Sequence, residues 1–262
     1  MNMNQHPGYH QTYLVEGIEQ SIISAYITKV FGWMFFGLLV TAATTLSIMQ
    51  GIQVSDAFAN LVQFLVFGPG LLLVIIAQFG LVMAISARAE KMDPSTAKAL
   101  YLLYAISNGL TFGLITMLYA YHTGGGFNAI GMAFGVTAIG FGVMAVYGLI
   151  TKTDLTRFGN ILLMGVIGLI AAMFINMFFG SGAMDFMISA VGLFLFLGIT
   201  VVRTSMIKNH FASVALDAEI TGDEQQARLA SNLAIVGALM LYLAFINMFF
   251  FILRLMGSRG RR

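Results

Sequence analysis

Seven apolar stretches, each near the roughly 20 residues a helix needs to cross a bilayer, divide this chain of 262 residues. They are Val30–Met49, Phe64–Ala87, Ala99–Tyr121, Phe127–Ile150, Phe158–Phe179, Phe186–Val202 and Leu233–Met256. Lipid offers no water to the backbone, so each stretch must satisfy its own N–H and C=O groups as a helix. Composition points the same way. Charged residues make up 9% of the chain and hydrophobic residues 59%, with a mean hydropathy of +0.89, whereas a soluble domain carries about 25% charged residues. The sequence predicts an all-α integral membrane protein with one bundle of seven transmembrane helices over residues 30–256. Residues 1–29 are expected to form a cytoplasmic tail with an interfacial helix, in which Leu14, Ile18, Ile22 and Tyr26 recur every four residues. Residues 257–262 form a basic C-terminal tail. The polar residues 1–13 do not resemble a secretory signal, so the first helix is expected to direct insertion.

Connections are expected to be short, except for a solvated loop of about 30 residues between the sixth and seventh helices. Pro69 and Gly70 fall near the start of the second helix, where a proline costs little. Lys29, Arg88, Lys91, Lys98, Lys152, Arg157, Arg203, Lys208 and Arg228 all fall on one side of such a bundle, and the first, third and fifth loops carry no Lys or Arg. The positive-inside rule then makes the N-terminus cytoplasmic. Arg254, Arg259, Arg261 and Arg262 oppose this, because seven full crossings would place them outside. Either the basic tail is tolerated there, or one stretch is re-entrant and the tail is also inside.

Catalytic chemistry finds no support. The chain has no cysteine, and His6, His10, His122 and His210 lie in tails or loops without a companion carboxylate or serine. No HExxH, GxSxG or P-loop pattern occurs, so neither an enzyme nor a cofactor is expected. The net charge of +2 is too small to suggest nucleic acid. Asp217, Glu219, Thr221, Gly222 and Asp223 follow the opening of a calcium loop, but its twelfth position is Arg228 instead of a bidentate glutamate. That segment is read as a solvated acidic loop, with no metal site.

Every acidic residue lies in a tail, a loop or a helix margin, Asp185 being nearest to a helix interior. A cation pathway usually presents a carboxylate or a ring of oxygens at depth. Here the expected interior holds neutral groups, Gln78, Asn108, Thr111, Asn176, Tyr242 and Asn247, which read as interhelical hydrogen-bonding groups. GLTFG at 109–113 and GMAFG at 131–135 have the GxxxG form, a frequent coincidence among 29 glycines. The hexapeptide Phe-Ile-Asn-Met-Phe-Phe occurs at 174–179 and again at 245–250, which is read as coincidence in a biased composition.

The closing stretch GALMLYLAFINMFFFILRLMG at 237–257 resembles the last helix of the Bax inhibitor family of membrane proteins, with Ala244 where typical members have aspartate. GWMFFGLLVTA at 32–42, LYLLYAISNGLTFGLI at 100–115, TKTDLTRFGNILLMG at 151–165 and GITVVRTSMIKN at 198–209 resemble that family in the expected order. The resemblance implies a seven-helix bundle of the Bax inhibitor type with the last helix central. It also implies calcium leak and protection from stress or cell death, in bacterial inner membranes or, alternatively, the ER. Members with a proton-gated calcium route carry two aspartates. The matching positions here are Arg203 and Ala244, so both acids are gone and one is replaced by the opposite charge. The resemblance also implies a second-helix arginine that can pair with those acids, for which Arg88 is the nearest candidate, although its partner is missing. Arg203, Ala244, Arg88, Tyr242 and Asn247 are therefore the gate or pore candidates.

Two functions follow as expectations. One is an ion or calcium leak with an altered gate, whose partners are membrane lipids and Ca2+ or another cation. The other is a non-conducting regulator that binds and restrains a membrane-bound AAA protease, presenting a flexible polar N-terminus of about 29 residues.

Overall fold

The computed structural model describes residues 7–67, 70–123, 126–153 and 155–258. Helix is the only regular secondary structure among them. Helix α1 is Pro7–Val54, α2 Asp56–Phe67, α3 Gly70–Ala87, α4 Pro94–Thr123 and α5 Gly126–Ile150. A 3-10 turn at Thr156–Phe158 leads into α6, Gly159–Phe179, followed by α7, Gly182–Met206. A π-helical turn at Ile207–Phe211 passes into α8, Ala212–Thr221, and α9 spans Glu224–Ser258.

Five helical stretches are long and apolar enough to cross a membrane, and they overlap the expected first, fourth, fifth, sixth and seventh segments. The other two fall in α2–α3 and in α4. The second is not one helix from Phe64. Helix α2 ends at Phe67 and α3 begins at Gly70; Pro69, which cannot donate to a helical ladder, lies outside the described residues. The third lies within α4. The tails 1–6 and 259–262 also lie outside the described residues.

Two expectations about irregular backbone are corrected. The segment at 203–232 is not a solvated loop: α7 continues to Met206, the π turn and α8 follow, and the connection to α9 is Gly222–Asp223. Gly222 has φ 67°, the left-handed conformation that closes a helix at low cost for glycine. The carboxylate of Asp223 then accepts from the Gln225 N–H at 2.8 Å and starts α9. Asp217 and Glu219 thus sit on a helix, which cannot wrap a cation as a calcium loop does. At the other end of the chain, the residues expected as a flexible arm are helical from Pro7, and the interfacial segment continues without a break into the apolar half of α1.

Helix α9 is the axis of the bundle. It packs against α1, α3, α4, α5, α7 and α8, and 78% of its most apolar window is buried, against 6% for α6. The repeated hexapeptide shows the contrast. At 245–250 Phe245, Ile246, Met248 and Phe249 are core residues, whereas at 174–179 Phe178 is 81% exposed. Identical sequences occupy opposite environments, because helix position decides which face meets lipid.

Close approaches fix the neighbours of α9. A Cβ at Gly109 would lie 2.5 Å from Thr44 Cβ and 2.8 Å from the Thr41 carbonyl oxygen, and one at Gly148 would lie 2.7 Å from the Val201 carbonyl oxygen. Gly109 is the first residue of GLTFG, so that motif does mediate α1–α4 packing. Gly131 and Gly135 of GMAFG have nothing within 4 Å. Gly109→Val and Gly148→Val are each expected to cost about 1–3 kcal/mol, read as a lower thermal midpoint of the purified chain in detergent. Gly131→Ala should leave the midpoint within about 0.5 kcal/mol of wild type.

Candidate functional site

Helices α7 and α9 run antiparallel along a tight seam. A Cβ on Gly192 would meet the Phe251 ring at 2.6 Å, Thr200 Oγ1 lies 3.7 Å from Met248 Sδ, and Ile207 meets the Gly237 position. This register brings Arg203 level, within about one turn, with the α9 segment from Leu241 to Ala244. The two positions singled out in the sequence are therefore neighbours in height along one interface. Their environments differ. Ala244 is buried in the main core cluster, in the company of Leu241, Tyr242 and Phe245. Arg203 is half-buried, its guanidinium 4.0 Å from Met206 Sδ, with no carboxylate in ion-pair range among the described residues.

The polar centre of the bundle lies on the opposite side of α9. The Tyr242 hydroxyl is 2.7 Å from Thr41 Oγ1, and Thr41 Oγ1 is 3.0 Å from both the Gly37 and the Ala105 carbonyl oxygens. Carbonyls only accept, so Thr41 gives them its single proton and Tyr242 must donate to Thr41. The Tyr242 ring packs edge-on against Tyr104 and Tyr101, with centroids 5.7 and 6.2 Å away. Tyr101 in turn donates to the Trp33 carbonyl at 2.9 Å. This cluster ties α1, α4 and α9 together with hydroxyls and no charge.

The interior polar residues divide into two kinds. Gln78 on α3 donates to the Ser107 carbonyl and to Thr111 Oγ1 on α4, at 3.0 and 3.3 Å, so it and Thr111 do join helices, as Tyr242 does. Asn108 and Asn247 instead donate back to their own helices, at Tyr104 and Leu243. The Asn176 side chain accepts from the Ser181 N–H at the end of α6. An asparagine amide is short, so the carbonyl one turn back is the partner it reaches most readily. Asn232 was not singled out in the sequence. It is buried, and its amide donates to the Ala89 and Met92 carbonyls at 2.8 and 2.7 Å, locking the turn after α3 to α9. Nothing in its local sequence marks it.

Charge is sorted to the two ends of the bundle. Among the described residues no Lys, Arg, Asp or Glu is buried. At one end Lys208 donates to the Leu149 and Thr151 carbonyls at 2.9 and 2.7 Å, capping the C-terminus of α5, where a cation meets the negative end of the helix dipole. Arg88 is exposed in the turn after α3, and no hydrogen bond or ion pair among the described residues joins it to Arg203. At the other end Arg254, in the last turns of α9, pairs with Asp185 in the first turn of α7. The end of α9 therefore lies at the opposite end from Arg203. Such an arrangement can hold helices in register and present cations at one end, but among the described residues it supplies no acid at depth to bind or shuttle a cation.

Residues 23–261 match the family model Bax1-I, described as inhibitor of apoptosis-promoting Bax1. The chain is 36% identical over 241 residues to the inner membrane protein YbhL of Escherichia coli K12, covering 90% of this chain and 93% of the relative. It is also 36% identical over 239 residues to an uncharacterized protein of Borreliella burgdorferi, covering 91% and 94%. An uncharacterized membrane protein of Streptococcus pyogenes is 28% identical over 256 residues, covering 97% and 99%.

Removing the Tyr242 hydroxyl tests the polar centre. Tyr242→Phe is expected to cost about 1 kcal/mol, and its coupling to Thr41→Val in a double-mutant cycle should be about 0.6 kcal/mol. Unfolding in mixed micelles measures both, and zero coupling would show that the contact does not hold the helices.

Proposed function

This chain belongs to the Bax inhibitor-1 family, and from that premise we propose an ion-homeostasis and stress-protection protein of the bacterial inner membrane whose acid-gated calcium route is disabled. It is a seven-span protein in this reading. Its seven spans would be α1, α3, α4, α5, α6, α7 and α9. The end that carries Lys29, Lys98, Lys152, Arg203 and Lys208 is cytoplasmic by the positive-inside rule. The C-terminus then lies across the membrane, where the Asp185–Arg254 pair neutralises one of its arginines.

The observation that carries the proposal is the seam between α7 and α9. A pair of carboxylates there would share protons and respond to acid. Instead one position is a sealed methyl group and the other a guanidinium with no acid in ion-pair range among the described residues. A fixed positive charge at the mouth of a seam repels calcium, and no titrating pair remains to relieve it. The role is not enzymatic. The same uncharged interior supports a second reading, a non-conducting regulator that restrains a membrane-bound AAA protease. Here the helical residues 7–29 would be the presented element.

Flux from calcium-loaded liposomes tests the proposal. Wild type should show no calcium release that rises on acidification, and Arg203→Asp with Ala244→Asp together should gain it. Acid-gated release from wild type would overturn the proposal. Co-purification of the protease, lost on deleting residues 2–13, would favour the second reading.

A further inference from the structure

At the basic end, α1 and α4 meet around two lysines and the one tryptophan of the chain. Lys29 and Trp33 lie one turn apart on α1. Lys98 reaches across from α4, with its ammonium 5.7 Å from the centroid of the Trp33 ring. The platform is rigid. Tyr101, one turn beyond Lys98, donates to the Trp33 carbonyl at 2.9 Å and packs edge-on to its ring at 6.3 Å. Gly37 makes that fit possible, since a Cβ there would fall 2.1 Å from the Tyr101 hydroxyl.

Lys29, one turn from Trp33, and Lys98, over its ring, flank the same indole, yet no carboxylate lies within ion-pair distance of either among the described residues. Arg254, at the opposite end, has such a partner in Asp185. Two cations held together without an acid call for an anion from outside the chain. The surroundings indicate its source. About one turn deeper on α1 the exposed face becomes apolar at Phe36 and Leu39, and on α4 at Leu103. Trp33 stands at this boundary, where an indole favours the membrane–water interface.

We propose that Lys29, Lys98 and Trp33 form a binding site for the headgroup of an anionic phospholipid, with the phosphate between the ammoniums and the acyl chains along the apolar faces of α1 and α4. Clefts between membrane helices lined by basic residues suit such headgroups. The site requires only that the chain is embedded in a membrane and stands apart from the α7–α9 seam.

Trp33 reports on the site without background. The full chain is placed in phosphatidylcholine bilayers containing a minor fraction of brominated phosphatidylglycerol or brominated phosphatidylcholine, and quenching is compared. Wild type should prefer the anionic quencher by about fivefold or more, roughly what one lysine near an anionic surface supplies. Lys29→Gln with Lys98→Gln should lose that preference while phosphatidylcholine still quenches as in wild type, and Lys29→Arg with Lys98→Arg should keep it. Added inorganic phosphate should not compete. Equal quenching of wild type by the two lipids, survival of the preference in the glutamine pair, or displacement by inorganic phosphate would each overturn the proposal.

Discussion

The structure depends on burying one long helix without burying a charge. Helix α9 lies between six other helices, so an ionised side chain on its buried middle would lose water and find no opposite charge in exchange among the described residues. The sequence of α9 meets this constraint. Ala230, Ala234, Ala238 and Ala244 are all buried, and such small residues let neighbouring helices come close. Phe245, Phe249 and Phe251 fill the wider spaces through ring contacts with Phe134, Phe141, Phe112 and Phe196. Ala244 belongs to this packing pattern. It stands where the resemblance called for aspartate, and the surrounding core is built for a methyl group.

Excluding charge from the middle leaves it concentrated at the ends, and the two ends differ. At the Asp185–Arg254 end the cation is matched by an acid next to the Ser181 cap, which accepts from the Met184 N–H at 3.3 Å. At the other end Lys208 satisfies helix carbonyls, and among the described residues Arg203, Lys29 and Lys98 have no acid in ion-pair range. This asymmetry supports a fixed orientation in the membrane and a cationic surface facing anionic headgroups. It also weighs against divalent cations entering from that side.

Much of this was legible in the sequence. Apolar length located five spans, the motif order pointed to the family, and the alternation of basic loops separated the two ends. Ala244 and Arg203 were identifiable as departures from a pattern, and the structure places them at one height on one seam. What could not be read depended on contacts distant along the chain. The stretch 203–232 looked like a loop because it is polar, but α8 is fixed by packing against α1 and α9. The first glycine of GLTFG and those of GMAFG look alike until their neighbours are known. Asn232 locks the turn after α3 from more than 130 residues away, and no local signal announces it. Asn108 and Asn247 satisfy themselves within their own helices, which the sequence does not distinguish from bonding across helices.

The central claim is that the core around Ala244 is sealed from water on both sides. The chain contains no cysteine, so Ala244→Cys would carry the only thiol of the molecule. In proteoliposomes this thiol should not react with small charged methanethiosulfonate reagents, added from either side at neutral or acidic pH. Arg88→Cys, in an exposed turn, should be labelled readily under the same conditions. Labelling at 244 at a rate comparable to that at 88 would reveal an aqueous path through the seam and contradict the account.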